Sequence, residues 1–118
     1  MSNLTPSLGK TTIAPEVLIT TIKLTALSVT GVHSLTTAPV RLDNLFKKGA
    51  DEGVVLDVEN NTVYADLYVI LENDVNVRNV GRQIQSKVSR AISELVGMEI
   101  GKINVHIEDI KYPQPSKE

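Results

Sequence analysis

Chemistry has few places to reside in this chain, because it holds no cysteine and only two histidines, His33 and His106. That removes disulfides, thiolate metal sites and cysteine nucleophiles. His106 alternates with Glu108 along one face of a strand candidate, and Asp66 falls where a neighbouring strand would run. Three such groups hold a metal only if they converge, and the wet face of any strand carries residues of the same kind. His33 falls in a loop with no base partner visible in the sequence, so no Ser-His-Asp arrangement can be assembled. The tetrad "GKTT" at 9–12 imitates the end of a phosphate-binding loop. That motif needs a glycine five residues before the Gly-Lys pair, where Leu4 stands, and a preceding strand. The sequence therefore assigns no catalytic residue, no metal ligand and no cofactor, and a non-enzymatic protein is expected.

Charge is more informative. The stretch "NVRNVGRQIQSKVSRAISELVG", residues 76–97, carries Arg78, Arg82, Lys87 and Arg90 against one acid, Glu94. On a helix Arg78 and Arg82 are neighbours at i, i+4, and Arg90 lies about 80° further round. Between residues 49 and 77 there is no Lys or Arg, while Asp51, Glu52, Asp57, Glu59, Asp66, Glu72 and Asp74 all fall there. Guanidinium forks suit carboxylates. Arg78, Arg82 and Arg90 are thus expected to bind an acidic protein surface, on a neighbouring copy or on a membrane-anchored partner. The bland alternative is an idle solvated face, since exposed ion pairs contribute about 0–1 kcal/mol each. The rival from another class is a small nucleic-acid-binding module using this helix. A net charge of −2 opposes it. Tyr64, Tyr68 and Asn104 would make a stacking platform on a sheet, but Asp57, Glu59, Asp66, Glu72 and Glu108 share that face and would repel phosphates.

The elements that must position these residues follow from hydrophobic period. Apolar residues make up 42% of the chain and aromatics 3%, so one aliphatic core is expected. "TTI" at 11–13 reads as a short strand. Pro15 suits the first position of a helix running to about Thr30, with Gly31 as its stop. Its core stripe is Leu18, Ile19, Ile22, Ala26 and Val29. Val17, Leu24 and Leu27 lie opposite, so this helix is covered twice. The second cover is either another subunit, making these three residues a self-association surface, or the 33–53 segment with Leu42, Leu45 and Phe46 on a short helix. Period-two runs at 54–59 and 62–72 flank Asn60-Asn61, a hairpin signal. Val77, Val80, Ile84, Val88, Ala91 and Leu95 mark the inner face of the basic helix, which Gly97 ends. "KINVHIEDI" is a last strand, with Ile103, Val105 and Ile107 inward. The expected fold is α+β: a single two-layer domain in the order β-α-β-β-α-β, two helices packed on one face of a four-stranded mixed sheet. Residues 1–10 read as a flexible leader, 11–112 as the domain and 113–118, with Pro113 and Pro115, as a flexible tail.

The runs "IAPEVLITTIKLTALSVTGV", "GVVLDV…VYADLYVIL" and "VNVRNVGRQIQSKVSRAISELVGMEIGKINVHIEDI" resemble the bacterial alkaline shock protein family, the envelope stress response proteins. The similarity spans about residues 11–110. Its most specific pieces are "APEV" at 14–17, "GV" at 31–32, Gln85, Gly97 and "INVHI" at 103–107. At "LENDVN", 71–76, the chain departs from the family, which more often has an aromatic and a glycine there. The resemblance implies a cytoplasmic, non-enzymatic protein that self-associates as a homo-oligomer and sits near the membrane, often through a membrane-anchored partner. The sequence adds that no signal peptide is visible in "MSNLTPSLGK" and that no apolar run is long enough to span a bilayer. A location in the cytoplasm, peripheral to the inner face of the membrane, is the expectation.

Overall fold

In the computed structural model, residues 8–39 and 49–112 are described. Helix α1 spans Pro15–Leu27, and its entry residue Ala14 is extended and offers no side-chain cap. Proline at the first position and Glu16 in the first turn supply what the cap does not. The helix stops at Leu27, short of Thr30. The chain then turns through Gly31 at φ +103, where a Cβ would stand 2.9 Å from Val80 Cγ2. Strand β1, Val32–Leu35, follows at once.

A 3₁₀ turn at Ala50–Glu52 leads into β2, Val54–Glu59, and then β3, Thr62–Glu72. Asn60 and Asn61 turn the hairpin with φ of 51° and 62°, the left-handed geometry that matches strand twist. Helix α2 spans Val77–Arg90 and is capped by the Asn76 side chain, which accepts from the Asn79 N–H at 3.0 Å. It continues as a wider π-helical segment, Ala91–Val96, and Gly97 ends it at φ +79. Strand β4, Glu99–Lys111, completes the sheet.

The sheet is mixed and centred on β3. Strand β4 runs parallel along one edge of β3 for its whole length. Strands β2 and β1 share the other edge end to end, β2 beside Thr62–Leu67 and β1 beside Val69–Leu71, both antiparallel. Tyr68 joins them: its N–H donates to Gly53 O and its carbonyl accepts from the Thr36 N–H, each at 2.9 Å. Both helices pack on one face of this sheet. Leu18, Ile19, Ile22 and Ala26 of α1 and Val80, Ile84 and Val88 of α2 meet Val54, Leu56, Val63, Leu67 and Leu71 in one aliphatic core.

The expected strand at residues 11–13 does not form, and the fourth strand lies after α1. The order is therefore α-β-β-β-α-β, not β-α-β-β-α-β. Thr11, Thr12 and Ile13 have the propensity for a strand, but the segment joins no strand of the sheet. Ile13 instead packs against the core. The short helix expected around Leu42, Leu45 and Phe46 lies outside the described residues, as do the residues from Pro113 onward and the first seven of the leader.

Candidate functional site

Arg78, Arg82 and Arg90 are all exposed on the side of α2 away from the sheet. The inner stripe of Val80, Ile84 and Val88 is buried, and that fixes the rotation of the helix. Arg90 Nε lies 3.6 Å from Glu94 Oε2, one turn on. Among the described residues, neither Arg78 nor Arg82 makes an ion pair. The acids of the 49–77 stretch lie elsewhere in the chain. Asp57, Glu59 and Asp66 line a shallow depression with Val55 and Tyr64 on the open face of the sheet. Glu52 meets Lys23 at 3.5 Å, and Glu72 meets His33 at 3.2 Å, a partner for His33 that the sequence did not reveal. The sheet separates the basic helix face from the acids of the open face, so one chain cannot neutralise the two against each other.

On α1, Val17, Leu24 and Leu27 are 52%, 60% and 38% exposed. They form an apolar outer stripe, back to back with the buried Leu18, Ile19, Ile22 and Ala26. Leu95 joins the exposed apolar residues, although its spacing from Val88 and Ala91 predicts burial. It is 81% exposed, while Ile92 is fully buried. The cause is the π-helical segment. Its Gly97 N–H reaches back five residues to Ile92 O at 2.9 Å, and a turn that holds more residues rotates Leu95 out of the α-helical stripe. Leu95 and Thr25 then line a groove between α1 and the end of α2, with Lys87, Arg90 and Glu94.

The open face of the sheet carries a hydrogen-bonded group. Asp66 Oδ1 accepts from Asn104 Nδ2 at 3.1 Å and pairs with His106 Nε2 at 2.9 Å. The Tyr68 ring stacks on the His106 ring, with centroids 4.5 Å apart and planes 11° from parallel. The sequence placed His106 and Asp66 on one face, and the parallel register brings them together. Glu108 does not join them: it falls in an irregularity of the β3–β4 ladder, between Ile107 opposite Val69 and Asp109 opposite Ile70. No three His, Asp or Glu side chains converge on a metal-sized site among the described residues. Tyr68 is buried, so the stacking platform loses one of its two rings; Tyr64 remains 41% exposed. The "GKTT" stretch runs without regular structure and leads into a helix only at Pro15.

Gln85 is placed by its tertiary partner. Its Nε2 donates to the Ile103 carbonyl at 3.0 Å and ties α2 to β4. No helix among the described residues is long and apolar enough to cross a membrane.

Residues 3–112 match the model of a family described as the alkaline shock protein 23 family, with a cell envelope-related function. The chain is 34% identical over 115 residues to the uncharacterized protein Spy1535 of Streptococcus pyogenes, covering 94% of this chain and 88% of that one. It is 26% identical over 113 residues to the uncharacterized protein YqhY of Bacillus subtilis, covering 94% and 84%. Among solved structures, a variant of MamM-CTD aligns with a TM-score of 0.56 at 14% identity, over 83% of this chain and all of that one. The copper form of MamM CTD aligns at 0.53 and 16% identity, over 87% and 93%. At these identities the structural likeness is one of fold.

Proposed function

From the premise that this chain belongs to the alkaline shock protein 23 family, with its cell envelope-related function, we propose that it is a non-enzymatic scaffold of the envelope stress response. It associates with itself and is brought to the cytoplasmic side of the membrane by a protein partner. One observation carries the reading: the outer face of α1 exposes Val17, Leu24 and Leu27 directly behind a stripe already buried in the core. Removing such a face from water is favourable: full burial of a large aliphatic side chain contributes about 1.5–3 kcal/mol, and these three, already part buried, would gain the exposed share of it. Arg78, Arg82 and Arg90 supply the second surface, a protein-binding face for carboxylates. Its orientation away from the acids of the open sheet face supports an intermolecular use.

The test begins with Leu24→Asp, read by sedimentation velocity over a concentration series. A smaller species with an unchanged melting temperature supports the reading, and unchanged assembly removes it. A triple Arg→Glu reversal at 78, 82 and 90 should leave the fold intact. It should lower binding of the purified protein to a membrane fraction, and moderate salt should do the same to the parent. Steeply salt-dependent binding of the parent to DNA would favour the nucleic-acid alternative.

A further inference from the structure

Strand β4 is thirteen residues long and pairs only with β3 among the described residues. Its other edge offers backbone donors and acceptors to another strand, although the Ile103 carbonyl already accepts from Gln85 and the Ile110 N–H already donates to the Asp109 side chain. Proteins usually blunt such an edge with charges and bulges, and β4 carries both. Here, however, the charges are ordered. Folded back on itself antiparallel about Val105, the strand sets Glu99 against Lys111 and Lys102 against Glu108. The inward residues agree with the same register, since Ile103 falls opposite Ile107. The two irregularities of the β3–β4 ladder lie at 101 and 108, so that 101–102 and 108–109 face each other as well.

We propose that β4 pairs antiparallel with β4 of a second copy, across a two-fold axis at Val105, and so extends the sheet through both chains. Charge complementarity selects the occupant. Glu99, Lys102, Glu108 and Lys111 each meet their opposite while Asp109 falls against Gly101, and the two-fold makes each pair occur twice. The symmetric irregularities keep the pleat in phase, so the helix-facing side of one sheet continues as the helix-facing side of the other. The Ile103 carbonyl, which accepts from Gln85, retains a second lone pair for the partner's N–H. This contact uses none of the α1 or α2 surfaces proposed above and does not depend on them.

The experiment is a charge swap. Lys102 and Glu108 are both exposed, and six residues of strand hold them about 20 Å apart within one chain. They can couple only between chains. Lys102→Glu and Glu108→Lys are each expected to weaken dimerisation about tenfold, read by sedimentation equilibrium, with melting temperature as the check on folding. The double variant should return to within about twofold of the parent. The proposal is overturned if the double variant associates no better than the singles, if the singles match the parent, or if the parent shows no dimer. The same series in the Leu24→Asp background separates the two surfaces. A dimer that persists there and responds to the swap belongs to β4, whereas a monomer there removes the β4 contact and leaves the α1 contact standing.

Discussion

The two helices cover the same sheet and finish in opposite ways. Helix α1 is apolar outside as well as inside, and only Glu16 and Lys23 are charged within it. Helix α2 has a dry inner stripe and a wet, basic outer face. Their inner faces meet the same kind of aliphatic surface, so packing on the sheet accounts for half of each helix and leaves the other half unexplained. The difference teaches that packing on the sheet does not by itself dictate a helix's outer residues. A helix that needed only to cap the sheet would have an exterior like that of α2, and α1 does not.

The largest effect tests the claim that the inner faces are equivalent. Ile22→Ala on α1 and Ile84→Ala on α2 both empty fully buried sites. Each is expected to cost about 2–5 kcal/mol in denaturant unfolding. Leu24→Ala, on the exposed side of α1, should stay within about 0.5 kcal/mol. A Leu24→Ala cost as large as that of Ile22→Ala would make the outer stripe internal core and dissolve the contrast.

The ends of the helices sharpen it. If the π-helical segment sets the end of α2, Ile92→Ala should cost about 2–5 kcal/mol and Leu95→Ala about 0.5 kcal/mol or less. An uninterrupted α-helix would place Leu95 in the stripe and make its truncation costly. At the other end, Asn76→Ala removes the only side-chain cap of α2 and should lower stability by about 1 kcal/mol. Helix α1 lacks such a cap although Ala14 already has the extended backbone of one. Ala14→Asp should therefore raise the melting temperature rather than lower it. The smallest effect is that of Arg90→Ala. Its pair with Glu94 is exposed on both sides, so the loss should be about 0.3–0.5 kcal/mol, fading as salt is added.

Much of this architecture was legible because its signals are local. The period-two runs became β2 and β3 with the expected hairpin at Asn60-Asn61. The three- and four-residue steps became α2, and the apolar stripe of α1 is buried where the spacing put it. The candidate surfaces were legible for the same reason, since a helix that buries Leu18 and Ile22 must turn Leu24 outward. The chemistry of the open face was only half legible. His106 and Asp66 could be given a common face, but not a contact. Their 2.9 Å pairing depends on β4 running parallel to β3 in one register. No single strand encodes that register.

What the sequence determined by itself was each segment's backbone habit and which side of it is apolar, because both follow from the identity and spacing of neighbouring side chains. The tertiary structure alone decided which of the short stretches became strands and where the edges lie. Thr11–Ile13 and Val32–Leu35 are comparable short stretches, yet only the second is a strand. Strand β2 ends its pairing at Leu67 and leaves Val69–Leu71 of β3 open on the same edge. The chain leaving α1 through Gly31 arrives at that gap. Backbone N–H and C=O groups brought beside an unpaired edge take it up, because a buried edge left unpaired would lose those hydrogen bonds outright.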